Sequence, residues 1–146
     1  MKKSLSLCLF LVLLALPLFA QLKDFAINAD KISFEKEKHL IEAEGSVEAT
    51  YKNFFLRGNH LLYNTSAETF YADRGFTFLY QGITIEGETL DYQIKTASGL
   101  ATDVRFFYQD VQLGGGRISF DREQFQLKNA QFTTCDLPHP HYRVTA

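Results

Sequence analysis

Between Ile41 and Tyr51 apolar and polar side chains alternate, with Ile41, Ala43, Gly45, Val47, Ala49 and Tyr51 on one parity and Glu42, Glu44, Ser46, Glu48 and Thr50 on the other. A period of two over such a length predicts a strand with one buried and one wet face. Phe70, Ala72, Phe76, Phe78 and Tyr80 repeat the pattern, and Arg74 is the one charge on that apolar parity. Further strands are predicted over 25–35, 53–63, 82–94, 99–109, 111–120 and 124–134, separated by turn-rich stretches such as Glu35-Lys36-Glu37-Lys38, Asn64-Thr65-Ser66 and Asp121-Arg122-Glu123. Apolar residues at helical spacing behind a capping residue are missing, so the chain after residue 20 is predicted to be all-β. Strand parity then points Val47, Phe76 and Phe78 inward and Glu48 and Thr77 to water.

The strands recur with a fixed period. Ala29-Asp30-Lys31-Ile32-Ser33-Phe34, Gly58-Asn59-His60-Leu61-Leu62-Tyr63 and Gly87-Glu88-Thr89-Leu90-Asp91-Tyr92 start 29 residues apart, and Gly115-Gly116-Arg117-Ile118-Ser119-Phe120 follows one residue early. Each copy is a small residue followed by two apolar side chains two positions apart. Such a period marks stacked supersecondary units, none of which can bury its apolar face alone. Fourteen Phe and seven Tyr, with no Trp, supply the bulk of the lining.

The first twenty residues stand outside this pattern. Lys2 and Lys3 precede an unbroken apolar run from Leu7 to Leu16, and Pro17-Leu18-Phe19-Ala20 follows, which reads as a signal peptide cut after Ala20. The run is too short for a membrane span, and Cys8 inside it does not read as a lipid-attachment site. The remaining 126 residues, one domain over 21–134 with a linker over 135–146, carry 13 basic and 17 acidic residues, a formal charge of −4. That balance disfavours nucleic acid, whose backbone is bound mainly through Lys and Arg. Cys135 is then the only cysteine, so an internal disulfide is excluded and a bond to another chain or segment is expected.

No catalytic constellation, cofactor site or metal site is expected. Glu42, Glu44 and Glu48 read as a solvated strand face, because exposed neighbouring carboxylates have nothing to drive their pKa values apart. Cys135, His139 and His141 are possible zinc ligands, but their spacing around Pro138 and Pro140 is not that of a finger. His39 and His60 read as isolated surface histidines, and Arg74 as a residue snorkelling at a rim. Gly114-Gly115-Gly116 lacks the Lys-Ser/Thr of a phosphate loop and reads as a bulge or tight turn with close strand approach.

The repeat of small-Asp-x-apolar-x-aromatic, a turn, and then apolar-x-Ala-x-Gly-x-Val resembles the OstA-type domain of lipopolysaccharide transport proteins over residues 24–146. Phe132-Thr133-Thr134-Cys135-Asp136-Leu137-Pro138-His139-Pro140-His141-Tyr142 looks like the segment that, in the LptD branch of that family, leads from the periplasmic domain into a barrel. The resemblance implies an open β-jellyroll of stacked antiparallel hairpins that binds lipopolysaccharide by its acyl chains in the periplasm, at the outer membrane, and catalyses no reaction. It implies a trough lined by Val47, Phe70, Phe76, Phe78, Ile85, Leu90, Tyr92 and Phe106. Ile27, Ile32 and Phe34 would form the edge that receives an LptA-like periplasmic bridge protein. It further implies an outer-membrane β-barrel and its plug lipoprotein as partners, with Cys135 paired to the barrel. The sequence ends at Ala146, where barrel strands would begin, so a fragment, a split relative and a stand-alone protein are all expected possibilities. The rival readings are an LptA-like soluble bridge, a right-handed β-helix acting on polysaccharide, which would need a carboxylate or His cluster along a groove, and a structural repeat protein.

Overall fold

The computed structural model describes residues 25–52, 54–108, 111–133 and 144–145; the leader, Cys8, Cys135, His139 and His141 lie outside them. Twelve strands make one sheet: β1 (Phe25–Asn28), β2 (Lys31–Glu35), β3 (Leu40–Tyr51), β4 (Phe54–Asn64), β5 (Thr69–Tyr80), β6 (Ile83–Gly87), β7 (Thr89–Gln93), β8 (Ser98–Tyr108), β9 (Val111–Phe120), β10 (Phe125–Lys128), β11 (Gln131–Thr133) and β12 (Val144–Thr145). Every pairing is antiparallel, and the described residues contain no helix. A right-handed β-helix is built from parallel strands, so this sheet removes that rival.

Three strands expected to be continuous are each divided, at Ala29–Asp30, at Glu88 and at Asn129–Ala130. These breaks share a column of the sheet with a bulge in β3 at Gly45–Ser46 and another in β5 at Arg74–Gly75, both lying opposite Asn59 of β4. Hydrogen bonds run along the column from Asp30 N–H to the Gly45 carbonyl (2.8 Å), from Gly75 N–H to that of Glu88 (3.1 Å) and from Glu88 N–H to that of Thr102 (3.0 Å). Gly45, Ser46, Arg74, Gly75, Asp103 and Asn129 all have positive φ there. Bulges bend and twist a strand, so aligned bulges fold the sheet into two halves.

Alternation therefore does not run unbroken through a strand. Phe54 and Leu56 are inward on one parity of β4 and Leu61 and Tyr63 on the other, whereas β3 and β5 keep their parity because each inserts two residues against one. Arg74 sits in the bulge and turns outward, its side chain 62% exposed, so no charge lies on the buried face at that position.

The register explains the repeat. Ile32, Ala43, Leu61, Ala72, Leu90, Ala101 and Ile118 are successive cross-strand partners, large and small in turn, and Leu127 ends the row beside Ile118. Large-small alternation lets a row close against a facing layer without voids. The facing layer is the other half of the sheet: Phe54 meets Phe70 (5.4 Å between ring centroids), and Phe78 meets Tyr92 (5.1 Å) and Phe120 (6.2 Å). None of these pairs is a register partner, so they bridge the halves.

The hairpin ends repeat as well, with His39, Glu68 and Ala97, each 29 residues from the next, in the left-handed conformation. A Cβ there is strained by about 1 kcal/mol. His39→Gly, at an exposed turn, is expected to raise the unfolding midpoint by a few degrees, as differential scanning calorimetry would show; an unchanged midpoint would count against strain at that turn.

Candidate functional site: an apolar interior, its open edge and an outer charged cluster

Val47, Phe70, Phe76, Phe78, Ile85, Leu90, Tyr92 and Phe106 are all buried, none more than 7% exposed. The fold brings them into one interior together with Phe54, Leu56, Leu61, Tyr63, Tyr80, Ile118 and Phe120. Tyr63, Tyr92 and Phe120 occupy equivalent places in successive repeats, and that equivalence is the signal from which the missed lining could have been read. Burial pushes the Tyr63 and Tyr92 phenols above their ordinary pKa, so both rings stay uncharged at neutral pH. Glu48 and Thr77 lie on the opposite, outer face, where Glu48 accepts a hydrogen bond from Arg57 at 2.9 Å.

The interior reaches the surface at the amino-terminal edge. β1 and β2 pair only with β3, leaving their other side unpaired among the described residues. Ile27 is half-buried against the core, whereas Ile32 and Phe34 are 49% and 57% exposed. Both lie on the inner-face rows, Ile32 beside Ala43 and Phe34 beside Ile41, so the apolar rows simply run out uncovered.

The outer face departs most from expectation. His60 is 6% exposed and not a surface histidine, because the parity change at Asn59 draws it under its neighbours. Its Nδ1 lies 2.7 Å from Asp73 Oδ1 and its Nε2 3.2 Å from Glu42 Oε1. Glu44 completes the group, with Lys31 Nζ at 3.2 Å and Arg74 at 3.8 Å. The expected solvated face of Glu42, Glu44 and Glu48 is thus a row of half-exposed, paired carboxylates. No sequence signal points to His60, since Glu42 and Asp73 meet it only through register. An outer recess of about 550 Å³ lies at the corner between Arg57, Asn59, Thr77, Glu86, Glu88 and Arg105.

Gly114-Gly115-Gly116 is neither a bulge nor a tight turn: β9 runs through it, and none of the three has positive φ. A Cβ on Gly115 would stand 3.1 Å from the Lys128 carbonyl oxygen, so close strand approach is what the glycine provides.

No family model matches the chain. Over 128 residues it is 27% identical to the LPS-assembly protein LptD of Neisseria meningitidis serogroup B (strain H44/76), covering 82% of this chain and 16% of that protein. It is equally similar to LptD of the serogroup A strain Z2491. The chain therefore spans 16% of the length of the curated relatives it matches. Among solved structures it resembles LptH, the LptA-homologous periplasmic component of the lipopolysaccharide transport device of Pseudomonas aeruginosa, with a TM-score of 0.67 and 15% identity over 85% of this chain and 97% of that one. The architecture is that of an LptA-like β-jellyroll, as the family resemblance implied.

Proposed function

We propose that this domain is a periplasmic binding domain for lipopolysaccharide, which it holds by the acyl chains and passes towards the outer membrane without catalysing a reaction. The observation that carries the reading is the pair of apolar rows that run through one half of the folded sheet and end uncovered at Ile32 and Phe34. Acyl chains gain about 0.8 kcal/mol per buried CH₂ in such surroundings, whereas phosphates and sugars do not. The net negative charge of the domain speaks for a grip on tails over head groups. Similarity to LptD and to LptH supports the same cargo, and the open edge suits an LptA-like bridge protein adding its own strand to β1 and β2. An outer-membrane barrel with its plug lipoprotein is the proposed downstream partner, reached through the segment that holds Cys135.

A photo-reactive phenylalanine at Phe76 or Phe106, two of the less completely enclosed lining positions, is expected to capture lipopolysaccharide. The same group at Thr77 or Arg105, one residue away on the opposite face, is expected to capture none. Equal labelling of both pairs in folded protein would remove the interior from the transport path. A soluble bridge is the second reading, favoured by the near-complete cover of LptH; it requires concentration-dependent self-association, which sedimentation velocity measures.

A further inference from the structure

The outer cluster around His60 is not needed by the proposed transport. The ring of His60, only 6% exposed, is held between two carboxylates, with Nδ1 2.7 Å from Asp73 Oδ1 and Nε2 3.2 Å from Glu42 Oε1. With Nδ1–H donated to Asp73, Nε2 and Glu42 Oε1 form a nitrogen–oxygen pair that a cation, whether a proton or a metal ion, can bridge. We propose that Glu42, Glu44 and His60 bind a divalent cation of the zinc class, with Asp73 as the positioning residue that fixes the ring.

Three features fit. The ligand atoms of Glu42, Glu44 and His60 lie within 4.8 Å of one another. A 3.2 Å separation of nitrogen and oxygen subtends about 100° at a metal bonded to each at ~2.1 Å, between octahedral and tetrahedral geometry. Closing the third ligand calls for an inward swing of Glu44, whose side chain is 37% exposed. The short bond from Nδ1 to Asp73 is the carboxylate–histidine arrangement that orients a metal-binding ring. Three carboxylates, Glu42, Glu44 and Asp73, face two fixed cations, Lys31 and Arg74, which leaves room for a further positive charge. The three ligands come from two adjacent strands, β3 and β4, so an ion would tie them together beside the bulge column.

Zinc could also meet Cys135, His139 and His141, so the readout is the His60 ring itself. In the full chain, selectively ¹⁵N-labelled on histidine, titration with zinc chloride at pH 7.5 is expected to move the Nε2 resonance of His60 to the coordinated position while Nδ1 stays protonated. Glu44→Gln, on a half-exposed side chain, is expected to leave the fold intact and to weaken that transition at least ~10-fold, and Asp73→Asn by roughly 10–100-fold. A His60 ring protonated on both nitrogens and unmoved by millimolar zinc would overturn the site, leaving a proton as the bridging cation. A transition equally strong in Glu44→Gln would overturn the ligand set.

Discussion

Phe78→Ala is expected to cost about 3–5 kcal/mol of folding stability, the range for truncating a fully enclosed aromatic ring. Phe78 is 0% exposed and its ring meets Phe54, Phe70, Tyr80, Tyr92 and Phe120, from both halves of the folded sheet. The neighbours cannot collapse into the space, since the five are held by four strands whose register is fixed by pairing. Leu79→Ala, one residue along on the outer face and 42% exposed in the parent, is expected to cost well under 1 kcal/mol. Urea unfolding of the two variants decides this, with the midpoint of Phe78→Ala falling steeply at an unchanged slope. Similar midpoints for the two would mean that the halves are not packed on one another.

That result also bears on the proposed transport. A closed aromatic layer cannot hold acyl chains and its own packing at once, so cargo has to enter where packing is thinnest. The partly buried rim offers such places, with Phe25, Tyr51, Leu113 and Phe125 packed only at the margin of the core. Long-chain lipid then competes with ring–ring contacts worth about 0.5–1.5 kcal/mol per pair, which a few methylenes match.

The fold class and the inward residues were legible because a strand's period of two and a repeat of 29 residues are local properties. Phe70, Phe78, Leu90 and Tyr92 could be placed inside from their neighbours alone. The column of bulges was not legible: Arg74 broke the parity, but only the pairing with Asn59 shows that two residues stand against one there. The same blindness hid His60, whose burial depends on Glu42 and Asp73 from the flanking strands, 18 and 13 residues away in the chain. It also merged β1 with β2 and β6 with β7, since a break without a turn residue leaves no mark except a small side chain at Ala29 or Gly87. The open edge at Ile32 and Phe34 was expected only through the family resemblance: by pattern they repeat the motif of Leu61 and Tyr63, and their place at the end of the sheet leaves them uncovered.

That end position sets up the second large effect. The double variant Ile32→Asp/Phe34→Asp is expected to weaken binding of an LptA-like bridge protein about 100-fold while hardly moving the unfolding midpoint. Both side chains are about half exposed in the free domain, so a partner that continues the apolar rows would newly bury them at roughly 1.5 kcal/mol each. Together that is about 3 kcal/mol, or two decades in Kd. Backbone pairing to the free side of β2 contributes to binding as well, but it is indifferent to these side chains and would survive the change. Ser33→Asp, on the same strand with its side chain on the other face, is the control and should leave affinity within about threefold. Surface plasmon resonance with the bridge immobilised, alongside thermal melts of each variant, separates the outcomes. Unchanged affinity in a folded double variant would take the β2 edge out of the transport assembly and leave the exposed pair without a partner.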